Sequence, residues 1–251
     1  IEKLYIDGKT SPVIADKYGV APSTIRGILK RRGITIRDFS HCNRKYDVNE
    51  RYFDNVSNKS QAYILGFLYA DGCNYPPQNK IIITLGLKDE EHLYKIKKEL
   101  ETNVPLYYRK NKDLVSLTIT NEHLSQQLIK LGMIQNKTHQ ITFPFWLNES
   151  LYKHFIRGYL DGDGHIGIYD NEGKIDIVGT RDLCESLKKI FSDQLNVHAS
   201  ISNIKGYVKN SVRLQRGGNK QVKKVCKYLW DDAEIYLERK YRTYKKIISN
   251  L

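Results

Sequence analysis

Apolar and polar positions change period several times along this chain, and the changes divide it into elements. Between residues 11 and 32 the apolar positions recur at helical spacing: Ile14, Ala15, Val20, Ile25, Ile28 and Leu29. Ser11 is expected to cap a first short helix, with Pro12 in its first turn and Gly19 breaking it, and Pro22 to open a second helix running to about Arg32. Two crossed helices would bury those six residues. Residues 34–57 are polar and irregular, with His41, Arg44, Lys45 and Arg51 scattered through them, and are expected to form a linker. From residue 58 helical and alternating stretches take turns. Strands are expected at 80–87, 106–110, 114–120, 166–169, 174–178, 199–204 and 207–215, and helices at 89–100, 121–131, 181–195, 218–229 and 234–248. Asn121 is the expected cap of the 121–131 helix and Gly132 its stop.

Strict alternation gives some strands two chemically distinct faces. In 207–215 one face carries Tyr207, Lys209, Ser211, Arg213 and Gln215, and the other Val208, Asn210, Val212 and Leu214. In 114–120, Ser116, Thr118 and Thr120 alternate with Val115, Leu117 and Ile119. Such strands bury one face and turn the other to water or to a partner.

Two apolar runs do not alternate, and they echo each other: residues 64–72 (ILGFLYADG) and 156–164 (IRGYLDGDG). Read as helices, they put Gly66 and Ala70, or Gly158 and Gly162, four residues apart on one face. Small residues at that spacing let another backbone come close, so the two helices are expected to pack together and set Asp71 beside Asp163. Gly72 and Gly164 suit the left-handed residue that closes a helix. Apolar runs with glycine also make ordinary core helices, and Asp-Gly ordinary turns. The repetition points further, because two carboxylates meeting where two helices stop make a site for a hard divalent cation.

Charge narrows the partner. The 251 residues hold 41 Lys+Arg against 28 Asp+Glu, a formal +13. That excess suits a polyanion, nucleic acid before membrane, although a merely basic soluble protein would share it. No apolar run approaches the length of a membrane span, and nothing at the start resembles a signal peptide, so a cytoplasmic place, on a nucleoid or in a phage-infected cell, is expected. Cys42, Cys73, Cys184 and Cys226 show no metal-ligand or disulfide spacing and are expected as free thiols. Ile1 stands where a methionine would, and further N-terminal sequence is expected.

The two echoed runs resemble the LAGLIDADG signature of homing endonucleases. That pattern has acids at its sixth and eighth positions. Asp161 and Asp163 match both, whereas Asp71 matches the eighth and Tyr69 replaces the sixth. The resemblance implies an α+β fold in which two αββαββα units, residues 58–147 and 148–251, form a pseudo-twofold saddle that straddles DNA. Residues 1–33 resemble a separate motif, the all-α helix-turn-helix, joined through the 34–57 linker; a structural helical hairpin would share their pattern. The implied activity is metal-dependent hydrolysis of both strands of a long, asymmetric duplex site by a monomer. Asp71 and Asp163 would hold Mg2+, with the Ala70 and Gly162 carbonyls completing the set. Lys137 and Lys240 are the basic residues implied beside the metals, with Lys88 and Arg181 as further candidates; a solvated face or a phosphate contact suits each as well. Ser23, Thr24 and Arg26 would meet base edges or phosphates, and Lys30 with Arg31 the backbone. Arg109, Ser116 and Thr118 in the first half, and Lys209, Ser211, Arg213 and Gln215 in the second, would contact DNA from the sheets. The same fold would also serve a catalytically inactive DNA-binding regulator or an RNA-splicing maturase, but the two retained acids favour the nuclease.

Overall fold

The computed structural model describes residues 1–7, 9–36, 46–134, 140–204 and 211–250. It forms two compact units, Ile1–Asp47 and Val48–Leu251.

The first unit contains α1 (Glu2–Ile6), α2 (Ser11–Tyr18) and α3 (Pro22–Arg31). Gly19 ends α2 at φ 63°, a left-handed conformation open to glycine at no steric cost, and Pro22 opens α3. The N-cap of α2 is Thr10 and not Ser11, and no side chain bonds there. Tyr5, brought in by α1, joins Ile14, Ala15, Ile25 and Leu29 in a small core. Val20, expected inside, is 41% exposed because it lies in the turn beyond α2, where helical spacing no longer governs direction. Ile28 is half-buried.

The second unit opens with a stretch expected to be linker. Tyr52, Phe53 and Val56 are buried in its core, and the Tyr52 carbonyl accepts from Gln61 Nε2 at 2.7 Å. Polar neighbours hid these three apolar anchors. Helix α4 (Lys59–Asp71) starts at a capping box, in which Asn58 Oδ1 accepts from Gln61 N (2.9 Å) and Gln61 Oε1 from Asn58 N (3.2 Å). Then come β1 (Gly72–Tyr75), β2 (Lys80–Gly86), α5 (Glu90–Glu99), β3 (Tyr107–Arg109), β4 (Leu114–Thr120) and α6 (Glu122–Lys130). The order repeats in α7 (Tyr152–Asp163), β5 (Gly164–Tyr169), β6 (Glu172–Thr180), α8 (Arg181–Leu195), β7 (Ser200–Asn203), β8 (Ser211–Gly217) and α9 (Asn219–Trp230), and α10 (Glu238–Asn250) ends the chain. Both sheets are antiparallel and share one topology, β1-β2-β4-β3 and β5-β6-β8-β7. The fold is therefore the expected pair of αββαββα repeats. Four-residue β1 had escaped sequence analysis, because a strand that short carries too little pattern.

Alternation decides most faces. Val115, Leu117, Ile119, Val212 and Leu214 are buried, whereas Thr120, Arg213 and Gln215 are exposed. Ser116 is the exception and corrects the expectation of an outward contact. It is 2% exposed, flanked by Thr84 and Tyr107 in register, and its hydroxyl lies 2.8 Å from Thr84 Oγ1. Among the described residues, no helix is long and apolar enough to cross a membrane.

Candidate active site

The site begins with the seam between α4 and α7. A Cβ added to Gly66 would fall 2.9 Å from the Phe155 carbonyl carbon, and one on Gly158 2.9 Å from that of Tyr63. Real Cβ atoms do not approach so closely, so the two backbones touch where only glycine lets them. At the C-terminal ends, a Cβ on Gly162 would meet the Ala70 methyl and lie 3.3 Å from Asp71 Cγ and Oδ2. The Asp71 carboxylate therefore reaches α7 one residue before Asp163. Asp71 is half-buried and Asp163 exposed.

Gly72 and Gly164 do not close their helices in the left-handed conformation. Both are extended, at φ −78° and −104°, and start β1 and β5 directly. Their glycine requirement is one of space, since a Cβ would fall 2.7 Å from the Leu68 carbonyl oxygen or 2.6 Å from that of Leu160. Chain direction thus reverses from helix to strand within one residue of each acid.

Near the acids Tyr159 is buried and donates its hydroxyl to the Val178 carbonyl at 3.0 Å. Burial pushes the Tyr159 phenol well up, and the Asp163 and Asp71 carboxylates add to that shift. Asp163 also borders a cavity of about 360 Å³, with Tyr69, Ala70, Gly162, Thr180 and Ser211 in its wall. Among the described residues no three His, Cys, Asp or Glu side chains gather closely enough to share an ion. A pair of carboxylates with backbone carbonyls beside them fits a cation such as Mg2+, which takes one or two protein carboxylates and keeps its waters.

Lys240 stands behind these acids. It is 3% exposed, and its Nζ lies 2.5 Å from the Leu160 carbonyl oxygen, 2.8 Å from that of Asp161 and 2.6 Å from that of Gly164. All three ammonium donors are occupied. Lys240 bonds the carbonyls where α7 ends and β5 begins and places a cation against the negative end of the α7 dipole. Burial brings its pKa down to about 8 against the upward pull of Asp161, Asp71 and Asp163. Lys137 and Lys209 lie outside the described residues. Lys88 borders a separate cavity of about 340 Å³ with His92 and Arg239, and Arg181 donates to Asn203 Oδ1 at 2.8 Å.

The two sixth-position residues do parallel work. Asp161 Oδ2 accepts from Tyr63 Oη across the seam (2.7 Å) and from Leu237 N (2.8 Å), just before α10 and Lys240. Tyr69 donates its hydroxyl to the Leu131 carbonyl, at the end of α6. Each ties its own half's final segment to a signature helix.

Arg157 and His92 were not anticipated, although an arginine inside an apolar run was a visible signal. Arg157 is fully buried, with Nε donating to the Ile235 carbonyl (3.1 Å) and Nη1 to that of Leu229 (2.8 Å). His92 is also buried, its Nε2 3.1 Å from Tyr63 Oη, and burial holds its pKa down to about 3. Below the ordinary histidine value of 6.5 the unfolded chain therefore takes up a proton that the folded chain refuses. This contribution to stability is level above pH 6.5 and falls as pH drops toward 3, by at most about 1.4 kcal/mol per pH unit. Urea unfolding at pH 7.5 and pH 5 is expected to show that loss, and His92→Phe to reduce it, with His154, held down to about 4 by its own burial, keeping the remainder.

On the remaining surface, Ser23, Thr24, Arg26 and Lys30 are exposed along α3, Arg109 is exposed on β3, and Thr118 and Ser211 are half-buried.

No protein-family model matches the chain, and no curated protein matches it. Solved structures do. The LAGLIDADG meganuclease I-AabMI, bound to uncleaved DNA, aligns with a TM-score of 0.52 at 17% identity, over 77% of this chain and 90% of that one. Meganuclease I-SmaMI, bound to uncleaveable DNA, aligns at 0.53 and 13% identity, over 77% and 88%. Full-length DUF199/WhiA from Thermatoga maritima aligns at 0.50 and 16% identity, over 80% of this chain and 64% of that one. The resemblance carried by the two signatures thus extends through the architecture, and the chain has the LAGLIDADG homing-endonuclease fold.

Proposed function

We propose that this chain is a site-specific DNA endonuclease that hydrolyses one phosphodiester bond in each strand of a long, asymmetric duplex and depends on a divalent cation, Mg2+ by preference. The observation that carries this reading is the approach of the Asp71 carboxylate to Gly162, the residue before Asp163, where α4 and α7 stop. Asp71 and Asp163 would hold the cation with the Ala70 and Gly162 carbonyls, and it would supply charge neutralisation at the scissile phosphate and an activated water. The chain's own residues do the rest. The glycine seam fixes the spacing of the acids, and Lys240 holds the end of α7 while its charge offsets theirs. Lys137 is the other basic residue we assign beside the acids. Arg109, Thr118, Ser211, Arg213 and Gln215 contact DNA from the sheets. The chain acts as a monomer, each half taking one half-site.

Cleavage of a randomised duplex library with Mg2+, and with chelator in its place, tests the reading. Cuts in both strands at one long motif, absent in chelator, would support it; selective binding without cutting would leave the second reading. That second reading is a non-cleaving DNA-binding regulator or an RNA-splicing maturase on the same fold. It is favoured by Lys240, whose ammonium is held on three carbonyls and offers no remaining donor to a phosphate.

The first unit extends the footprint as a helix-turn-helix, with Ser23, Thr24 and Arg26 leading α3 to the major groove and Lys30 on the backbone. Replacing Arg26 and Lys30 together by alanine is expected to weaken binding. It should also make the slope of log affinity against log salt shallower by about 0.9 for each phosphate no longer neutralised, as read by titrations from 50 to 200 mM salt.

A further inference from the structure

The two outward sheet faces differ in chemistry, and the difference has the form of a base-recognition preference. In the first sheet, register across β2 and β4 places Ile82 beside Thr118, Thr84 beside Ser116 and Gly86 beside Leu114. Thr84 Oγ1 and Ser116 Oγ hydrogen-bond to each other, so their polar atoms are satisfied within the sheet. At the centre of this face Ile82, Thr84, Leu114 and Thr118, all half-buried, present methyl groups, while its charged side chains, Arg109 opposite Leu114 and Lys80 opposite Thr120, stand toward the margins. In the second sheet the equivalent face carries Lys174 and Asp176 on β6, and Arg213 and Gln215 on β8, with Asp176 opposite Gln215 and Arg213 opposite Val178. Among the described residues, the side chains of Asp176, Arg213 and Gln215 make no hydrogen bond or ion pair, and Arg213 and Gln215 are exposed.

A DNA major groove offers two kinds of handle to such faces. Thymine presents a methyl group for apolar contact, whereas guanine suits a bidentate arginine, adenine a glutamine, and the cytosine amine a carboxylate. A carboxylate beside a phosphate would be repelled, so Asp176 argues that the second face meets base edges. Alternate residues of a strand stand about 7 Å apart, roughly two steps of a duplex that rises about 3.4 Å per base pair.

Resting on the DNA-binding reading above, we propose that the sheets read half-sites of opposite chemistry. The first sheet reads a thymine-rich run through methyl contacts. The second reads a half-site in which Arg213 fixes a guanine and Gln215 an adenine about two base pairs away.

The test is selection of bound duplexes by the full chain from a randomised library, in chelator, so that binding is read without cutting. The expected motif has one thymine-rich half and one half with a fixed guanine. Deoxyuridine in place of the thymines removes only their methyl groups and is expected to weaken binding about tenfold in the first half, against about twofold or less in the second. Arg213→Ala is expected to abolish a guanine preference of about tenfold or more and to leave the other positions unchanged. Equal tolerance of deoxyuridine in both halves, or a guanine preference that survives Arg213→Ala, overturns the proposal and leaves the DNA-binding reading standing. A library that yields no motif overturns both.

Discussion

Replacing Asp163 by asparagine is expected to abolish cleavage, by about a thousandfold or more, while DNA binding in chelator is kept. Asparagine preserves the shape of the carboxylate but removes its charge, and with it the affinity for a hard cation. Cation stabilisation of a phosphoryl transition state contributes several kcal/mol, each 1.4 kcal/mol being about tenfold in rate. Asp71→Asn is expected to do the same, and each single substitution to stop both strand cuts, because the Asp71 carboxylate lies against the residue preceding Asp163. Binding without cation should hold steady or tighten, since each change removes a negative charge from beside the phosphates. Single-turnover cleavage and chelator binding, measured on the wild type and both variants, check this. A variant that still nicks one strand at the wild-type rate would separate the two acids into independent sites.

Gly66→Ala or Gly158→Ala is expected to be strongly destabilising for a change of one methyl group. The new carbon would overlap the backbone of the opposite helix, which cannot rotate away as a side chain can. Overpacking a core costs about 1–3 kcal/mol when side chains yield, and here they cannot, so about 3 kcal/mol or more is expected. For a unit of this size that lowers Tm by roughly 6–12 °C. Gly86→Ala is the control, because the nearest atom to its Cβ is in the Lys88 side chain, 3.9 Å away. Activity should fall further than stability does, since helices forced apart at Gly158 also draw Asp71 from Asp163. Calorimetry beside cleavage at a temperature where the variant stays folded separates the two effects.

How much of this was legible beforehand depended on whether the pattern was carried locally. The seam was: small residues four apart on a helix face mean close approach wherever the partner lies, and Gly66, Ala70, Gly158 and Gly162 all proved to be contact points. Helix α8 and strand β4 were legible to the residue, because amphipathic period and caps lie within the element itself. Ser116 was not. Its alternation was correct, but its burial depends on Thr84 and Tyr107 from two other strands. Tyr52, Phe53 and Val56 hid in a polar stretch because three anchors make no period. The conformations of Gly72 and Gly164 followed from the strand that comes next, which a helix-end rule does not see. Lys240 was placed beside the acids by resemblance, but its three carbonyl partners lie some 80 positions away and leave no local trace.

The Tyr63–Asp161 hydrogen bond bears on how the halves choose each other. By the offset between the repeats, Phe155 corresponds to Tyr63 and Tyr69 to Asp161. The seam therefore holds two equivalent places with different occupants, a hydroxyl on a carboxylate at one (2.7 Å) and an edge-on pair of Phe155 with Tyr69 at the other (5.1 Å). Two second halves set against each other would face Asp161 with Phe155, leaving a buried acid without its hydroxyl donor at both places, at a cost of several kcal/mol. Two first halves would crowd Tyr63 against Tyr69 twice. The repeats share an architecture but are no longer interchangeable, so each half is the other's cognate mate and self-pairing is the mismatched cross.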